Sequence, residues 1–227
     1  MPSWITHLVT ANRLLEKIEI KDKNSFLFGN IMPDILNNYI VKDTNVHKEY
    51  KTTHFSDDVI INGIKYEFPN PEKFFVEYKE KMNNPVIVGF YVHLLTDYFW
   101  NNISYTNHFK EHNGSVEVRF VDGTIQDVEF NSAIRIKQRD FAKFTEFLKN
   151  DISIDRINYS EELVKLSNEI TEIPLTKADI EKTLVEVDKF LLSEETLEVR
   201  NYNLFTQDKL EEYLEQSIYY IIEKLSL

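Results

Sequence analysis

Residues 86–101, VIVGFYVHLLTDYFWN, constrain what this chain can fold into more than any other stretch. The run is apolar and strongly helical, and it carries His93 and Asp97 four residues apart. On a helix that spacing puts both side chains on one face, one turn apart. Val86, Gly89, Phe90 and Trp100 fall on or beside the same face, so the pair turns toward the core. An imidazole and a carboxylate in an apolar interior are costly unless they are paired with each other or ligate a metal.

The rest of the chain limits which compensation is available. There is no Cys among the 227 residues, which excludes disulfides, thiolate ligands and a Cys nucleophile. Any metal site must be built from His, Asp and Glu. Five Gly and six Pro are few, and 16 Phe with 12 Tyr are enough for a sizeable aromatic core, so the composition favours helices. The formal charge of −12 and the lack of a basic patch argue against a phosphate-gripping nucleic-acid binder. The N-terminal run MPSWITHLVTANRLLEKI lacks a basic leader region and reads as an amphipathic helix, not a signal peptide. No segment approaches the roughly 18 apolar residues of a membrane span. A cytoplasmic protein is the expectation.

In chain order, Trp4, Leu8, Ala11, Leu15 and Ile18 recur at helical spacing, with His7 at the edge of that stripe. KDKNS reads as a polar loop. In the following FLFGNIMPDI, Gly29, Asn30 and Pro33 break the helix and place Asp34 on a turn among apolar residues. Residues 41–58 form a long polar connection holding His47 and His54. Asn62-Gly63 between β-prone runs predicts one hairpin, and Asp122-Gly123 predicts a second. Asn70-Pro71 and Asn84-Pro85 are helix starts. Further helices are expected at about 138–150, 159–171, 177–192 and 207–226, with a capping box at Thr176 and Asp179. The expected fold is mainly α, a single domain over 1–227. Its parts are a helical, metal-binding 1–112, a hairpin at 113–131 and C-terminal helices over 132–227.

All six His residues lie at or before His112. Taken singly, all but His54 have an ordinary structural reading. His7 is a core-edge histidine bonded to a carbonyl, His93 and Asp97 are a buried hydrogen-bonded pair, and His47 is solvent-exposed. His108 and His112 mark an exposed helix end.

Four segments taken together point elsewhere. THLVTANRLLEKI, FLFGNIMPDI, THFSDD and GFYVHLLTDYFW, in that order, resemble the zinc-dependent phospholipase C superfamily of bacteria. The resemblance covers residues 1 to about 101. It implies a multi-helix phospholipase C-like bundle with a compact zinc cluster. Asp34, His54, His93 and Asp97 would form one zinc site, and Asp97 would bridge to a second ion that His7 also binds.

Departures from the family pattern accompany the resemblance. Trp4 is preceded by three residues, so its nitrogen lies in a peptide bond, and the amine of Met1, or of Pro2 if Met1 is removed, is the stand-in. A further family histidine falls on Ile103, and the nearest substitutes for the rest of a third site are His108 and His112. One or two zinc ions are therefore expected, not three. The implied activity is phosphoric ester hydrolysis by zinc-activated water, with Asp34 as the proton acceptor. The substrate class is a small phosphoester or a phospholipid, although no basic amphipathic helix suited to anionic lipid is visible. A non-catalytic, structural or sensor zinc protein is the alternative. A 3′-nucleotidase or nuclease-like activity is a lesser one, disfavoured by the acidity.

Overall fold

A computed structural model describes residues 2–42, 44, 46–151, 154–192 and 202–226. Capping side chains set where the first helices begin. Ser3 accepts from the Thr6 amide at 3.3 Å and opens α1, Trp4–Leu15. Asp22 accepts from Ser25 N at 3.1 Å and opens α2, Lys23–Gly29, so most of KDKNS is helix entry and not loop. A 3-10 turn follows at Met32–Asp34, then a short α3, Tyr50–Thr53.

Strands β1, Asp57–Ile61, and β2, Ile64–Phe68, pair antiparallel around Asn62 (φ 50°) and Gly63 (φ 84°). Two positive φ values in succession are what a tight two-residue hairpin requires. Asn70 caps α4, Pro71–Tyr78, and Asn84 caps α5, Pro85–His108, with a Pro at the start of each. Strands β3, Phe109–His112, β4, Ser115–Arg119, and β5, Ile125–Val128, form one antiparallel sheet in that order. Four helices complete the described chain: α6, Phe130–Asp151, α7, Glu161–Ser167, α8, Lys177–Leu192, and α9, Gln207–Leu225.

The expected mainly helical fold with two small β elements is present, with corrections. The second β element has three strands, because β3 was not legible. Only Phe109 of β3 is buried, so the alternation that marks a strand is missing. Helix α6 starts at Phe130, eight residues before its expected start, and α7 spans only seven residues. The capping box is as read: Thr176 N donates to Asp179 Oδ2 at 2.9 Å, and Asp179 N donates to Thr176 Oγ1 at 3.2 Å.

Helix α5 is the axis of the molecule. Over 24 residues it spans about 36 Å. It packs against α1, α2, α4, α7, α9 and the three-stranded sheet, which explains why it is apolar on nearly every side. Its first half, from Val86 to Leu95, lies in one apolar cluster with α1, α2, α4 and α9. From Trp100 onward it enters a second cluster with α6 and both sheets. Helix α1 divides the same way: Leu8 and Ala11 face the first cluster, Ile5 and Val9 the second. His7, His93 and Asp97 sit at the changeover.

The tightest contact in this arrangement is between α2 and α5. A Cβ on Gly89 would lie 2.1 Å from the Phe26 carbonyl oxygen and 3.0 Å from Gly29 Cα. Glycine at both positions lets the two backbones meet directly. Elsewhere Asp140 of α6, fully buried, accepts from the amides of Asn203, Leu204 and Phe205 and so fixes the approach to α9.

Candidate metal centre

Five side chains from four separate segments converge at the α1–α5 contact. His7 projects from α1, Asp34 closes the 3-10 turn that runs from Met32 through Pro33, and His54 caps the end of α3. His93 and Asp97 lie one turn apart on α5. The backbone holds His54 through its own amide, which donates to Tyr50 O at 2.8 Å. His7, His54, His93 and Asp97 are fully buried, and Asp34 is 2% exposed.

Asp97 is the hub. Its Oδ1 lies 3.2 Å from His7 Nε2, and its Oδ2 lies 3.2 Å from His54 Nε2 and 3.5 Å from His93 Nε2. Asp34 Oδ1 lies 3.5 Å from His54 Nε2, and the Nε2 atoms of His54 and His93 are 3.2 Å apart. The close approaches to Asp97 are ion-pair contacts without hydrogen-bond alignment. Both ring nitrogens of His7 and both oxygens of Asp97 are buried with no hydrogen-bond partner. Buried polar atoms are rarely left this way, and a cation among them would satisfy all of the inward-facing ones. Donor atoms of His7, Asp34 and His93 lie within 4.8 Å of one another, as do those of His54, His93 and Asp97.

The outer contacts orient these donors. His93 Nδ1 lies 2.8 Å from the Asn30 carbonyl oxygen. A carbonyl only accepts, so Nδ1 carries the proton and Nε2 points into the cluster as the free ligand atom. His54 Nδ1 is 2.8 Å from Thr53 Oγ1, leaving its Nε2 inward as well. The rings of His7 and His93 stack at 3.8 Å, and Tyr50 stacks on His54 at 3.9 Å. Asn37 Nδ2 donates to Asp34 Oδ1 at 3.3 Å.

Without a metal the cluster is electrostatically divided. Burial lowers the pKa of His7 to about 4, with the nearby His93 adding to the effect. Burial also lowers His54. Burial opposes charge on His93 too, but there the Asp97 carboxylate outweighs it and the pKa rises. Burial disfavours the Asp97 carboxylate, yet His93 and His7 hold its pKa well below the ordinary value. The metal-free cluster thus favours charge on His93 and Asp97 and disfavours it on His7 and His54.

The direction of the pH dependence follows. A His whose folded pKa lies below its unfolded value stabilises fully above pH 6.5, and that contribution is lost as pH falls toward about 4. His93, shifted the other way, contributes fully below 6.5 and fades only as pH rises through its folded pKa. The Asp97 contribution is lost only below its ordinary 3.8. Between pH 6.5 and 4 the loss within the cluster therefore comes from His7 and His54, and His108, also lowered by burial, adds to it in the same direction. In chelator, urea denaturation at pH 4.5 should give a stability lower than at pH 7 by on the order of 3 kcal/mol.

One side of the cluster meets a cavity of about 240 Å³, lined by Asp34, Trp4, Tyr39, Gln138, Phe141 and Ala142. Asp34 is the one member of the five that reaches it. The remaining histidines are placed elsewhere. His47 is exposed and bonds to Asn38. His108 Nδ1 faces the Arg119 carbonyl at 3.0 Å, and His112 Nδ1 faces the Asp127 carboxylate at 3.0 Å. Neither belongs to the two groups that converge, so the third-site stand-ins are not brought to the cluster. Met1, whose amine was the other stand-in, lies outside the described residues.

Several residues around the centre were not foreseen. Asn30 acts through a backbone carbonyl, which leaves no signature in a sequence. Asn101 and Tyr105 continue the His93–Asp97 spacing along α5, a signal that was there to be read. Among the described residues, no helix is long and apolar enough to cross a membrane. Compared with known proteins, the chain matches no family model, no curated protein and no solved structure.

Proposed function

We propose that His7, Asp34, His54, His93 and Asp97 hold one or two zinc ions, and that the protein is a metal-dependent phosphoester hydrolase of phospholipase C-like architecture. The observation that carries the metal is the set of partnerless buried atoms on His7 and Asp97, surrounded by inward-facing imidazole nitrogens. Hard and borderline N/O donors without thiolates suit zinc. The observation that supports catalysis over a closed structural site is the cavity at Asp34. Zinc, when bound, supplies positive charge for phosphoryl oxygens and a water acidic enough to attack at neutral pH.

The protein's own groups have distinct tasks in this reading. His93 is shared between the two groups of donors, and Asp97 lies beside imidazoles of both. Asn30 fixes the tautomer of His93, and Thr53 orients the His54 ring. Asp34, at the cavity wall and steadied by Asn37, is placed to accept the proton of the attacking water. Trp4, Tyr39 and Phe141 give the cavity a partly apolar rim. Its size suits a phosphoester headgroup, and a small soluble phosphoester or a phospholipid headgroup meets the same chemistry.

The near-complete burial of the five residues favours a second reading, a closed zinc site that stabilises the fold or senses the metal. The two are separated by a panel of p-nitrophenyl phosphomonoester, phosphodiester and phosphorylcholine ester, run with zinc and with chelator. Zinc-dependent turnover of any of them supports the hydrolase. Unfolding in chelator with no turnover in zinc assigns the metal a structural role.

A further inference from the structure

The polar stripe that begins at His93 and Asp97 does not stop there. Asn101 and Tyr105 follow at the same four-residue step, both buried, at 2% and 7% exposure. Across from them stands Lys137 of α6, 1% exposed. Its Nζ donates to Asn101 Oδ1 at 3.0 Å and to the Tyr105 hydroxyl at 2.7 Å, and lies 4.0 Å from the centre of the Tyr105 ring. These partners are neutral, and among the described residues no carboxylate is at ion-pair distance from it. Burial lowers its pKa to about 7.

A lysine in such a place is costly, and an apolar side chain of similar volume would fill the space without the desolvation penalty. Packing does not explain it; position does. Asn101 is one helical turn, about 6 Å, along α5 from Asp97. Gln138, Phe141 and Ala142, which line the Asp34 cavity, flank Lys137 on α6. The proposed metal centre meets the cavity at Asp34, and Lys137 lies behind the α6 wall of the same cavity, next to Gln138 and one turn from Phe141.

We propose that Lys137 is the second cationic group of the site, an anion-binding residue that acts with the metal to hold the oxygens of a phosphoryl group. The proposal rests on the metal-centre reading and deepens it. Asp34 and Asp97 alone would repel an oxyanion, and a cation behind the α6 wall of the cavity offsets that repulsion. Asn101 and Tyr105 are positioning residues that hold the ammonium in place.

Inorganic phosphate is the probe, titrated calorimetrically into the zinc-loaded protein. Lys137→Met should lower phosphate affinity by at least about tenfold, or 1.4 kcal/mol, with the zinc stoichiometry unchanged. Lys137→Arg, which keeps the charge, should retain most of the binding. In parallel, the Nζ resonance of Lys137 in ¹⁵N-lysine-labelled wild-type protein should move when phosphate is added, which needs no folded Met variant. Phosphate binding by Lys137→Met equal to wild type, or an unmoved Lys137 resonance, overturns the proposal while leaving the metal centre standing. Failure of the wild-type protein to take up zinc overturns the metal centre and this proposal with it.

Discussion

Asp97→Asn is expected to weaken zinc binding by more than about 100-fold, because the carboxylate is the one group shared by all three imidazoles. The substitution keeps the shape of the side chain and removes its charge. His7, His54 and His93 then surround a neutral amide, and the carboxylate that favours a charged His93 is gone. Because a ligand that binds only the folded state adds to its stability, zinc at 100 times its Kd should stabilise the wild type by about 2.7 kcal/mol. For a chain of this length that corresponds to a rise in Tm of roughly 5–10 °C. The expected result is a zinc-dependent shift in the wild type and none in Asp97→Asn, read by thermal melts with zinc and with chelator. Equal shifts in both proteins would remove Asp97 from the centre.

The second large effect lies in the scaffold. Gly89→Ala should destabilise the protein by about 3 kcal/mol or more, since the added methyl meets backbone and not a side chain that can rotate away. The Phe26 carbonyl at 2.1 Å and Gly29 Cα at 3.0 Å would have to move, and α2 with them. Asn30 is the residue that ends α2, and its carbonyl orients His93, so the displacement reaches the centre through that bond. A chemical denaturation midpoint well below that of the wild type, accompanied by weaker zinc binding, is the expected pair of observations. An unchanged midpoint would mean that the two helices do not meet as closely as described. Val88→Ala, a nearby substitution that only removes volume, should cost stability without changing zinc affinity.

How much of this was legible in advance depends on the kind of signal. Helix α5 announced itself through Asn84-Pro85 and a long apolar run, and its buried His–Asp face followed from spacing alone. Asp34 stood out because a carboxylate on a proline turn among apolar residues has no other place to go but inward. That His7 and His54 reach the same point was suggested by the order of the segments, not by any local pattern, since helix crossings are set by packing. The contact that sets one of them, Gly29 against Gly89, reads in sequence only as two unremarkable glycines. Lys137 escaped notice because the sequence pattern placed the start of α6 at 138, one residue too late, and because lysine is ordinarily taken as surface. Strand β3 escaped because three of its four residues are exposed.

The claim on which the rest depends is that the five converging side chains bind a metal. It is tested most directly by measuring zinc bound per chain, by equilibrium dialysis followed by elemental analysis, for the wild type and for His93→Ala. One or two ions per wild-type chain, with the content reduced in His93→Ala, is the expected result. A wild-type chain that retains no stoichiometric zinc, or the same zinc content in His93→Ala, would contradict it.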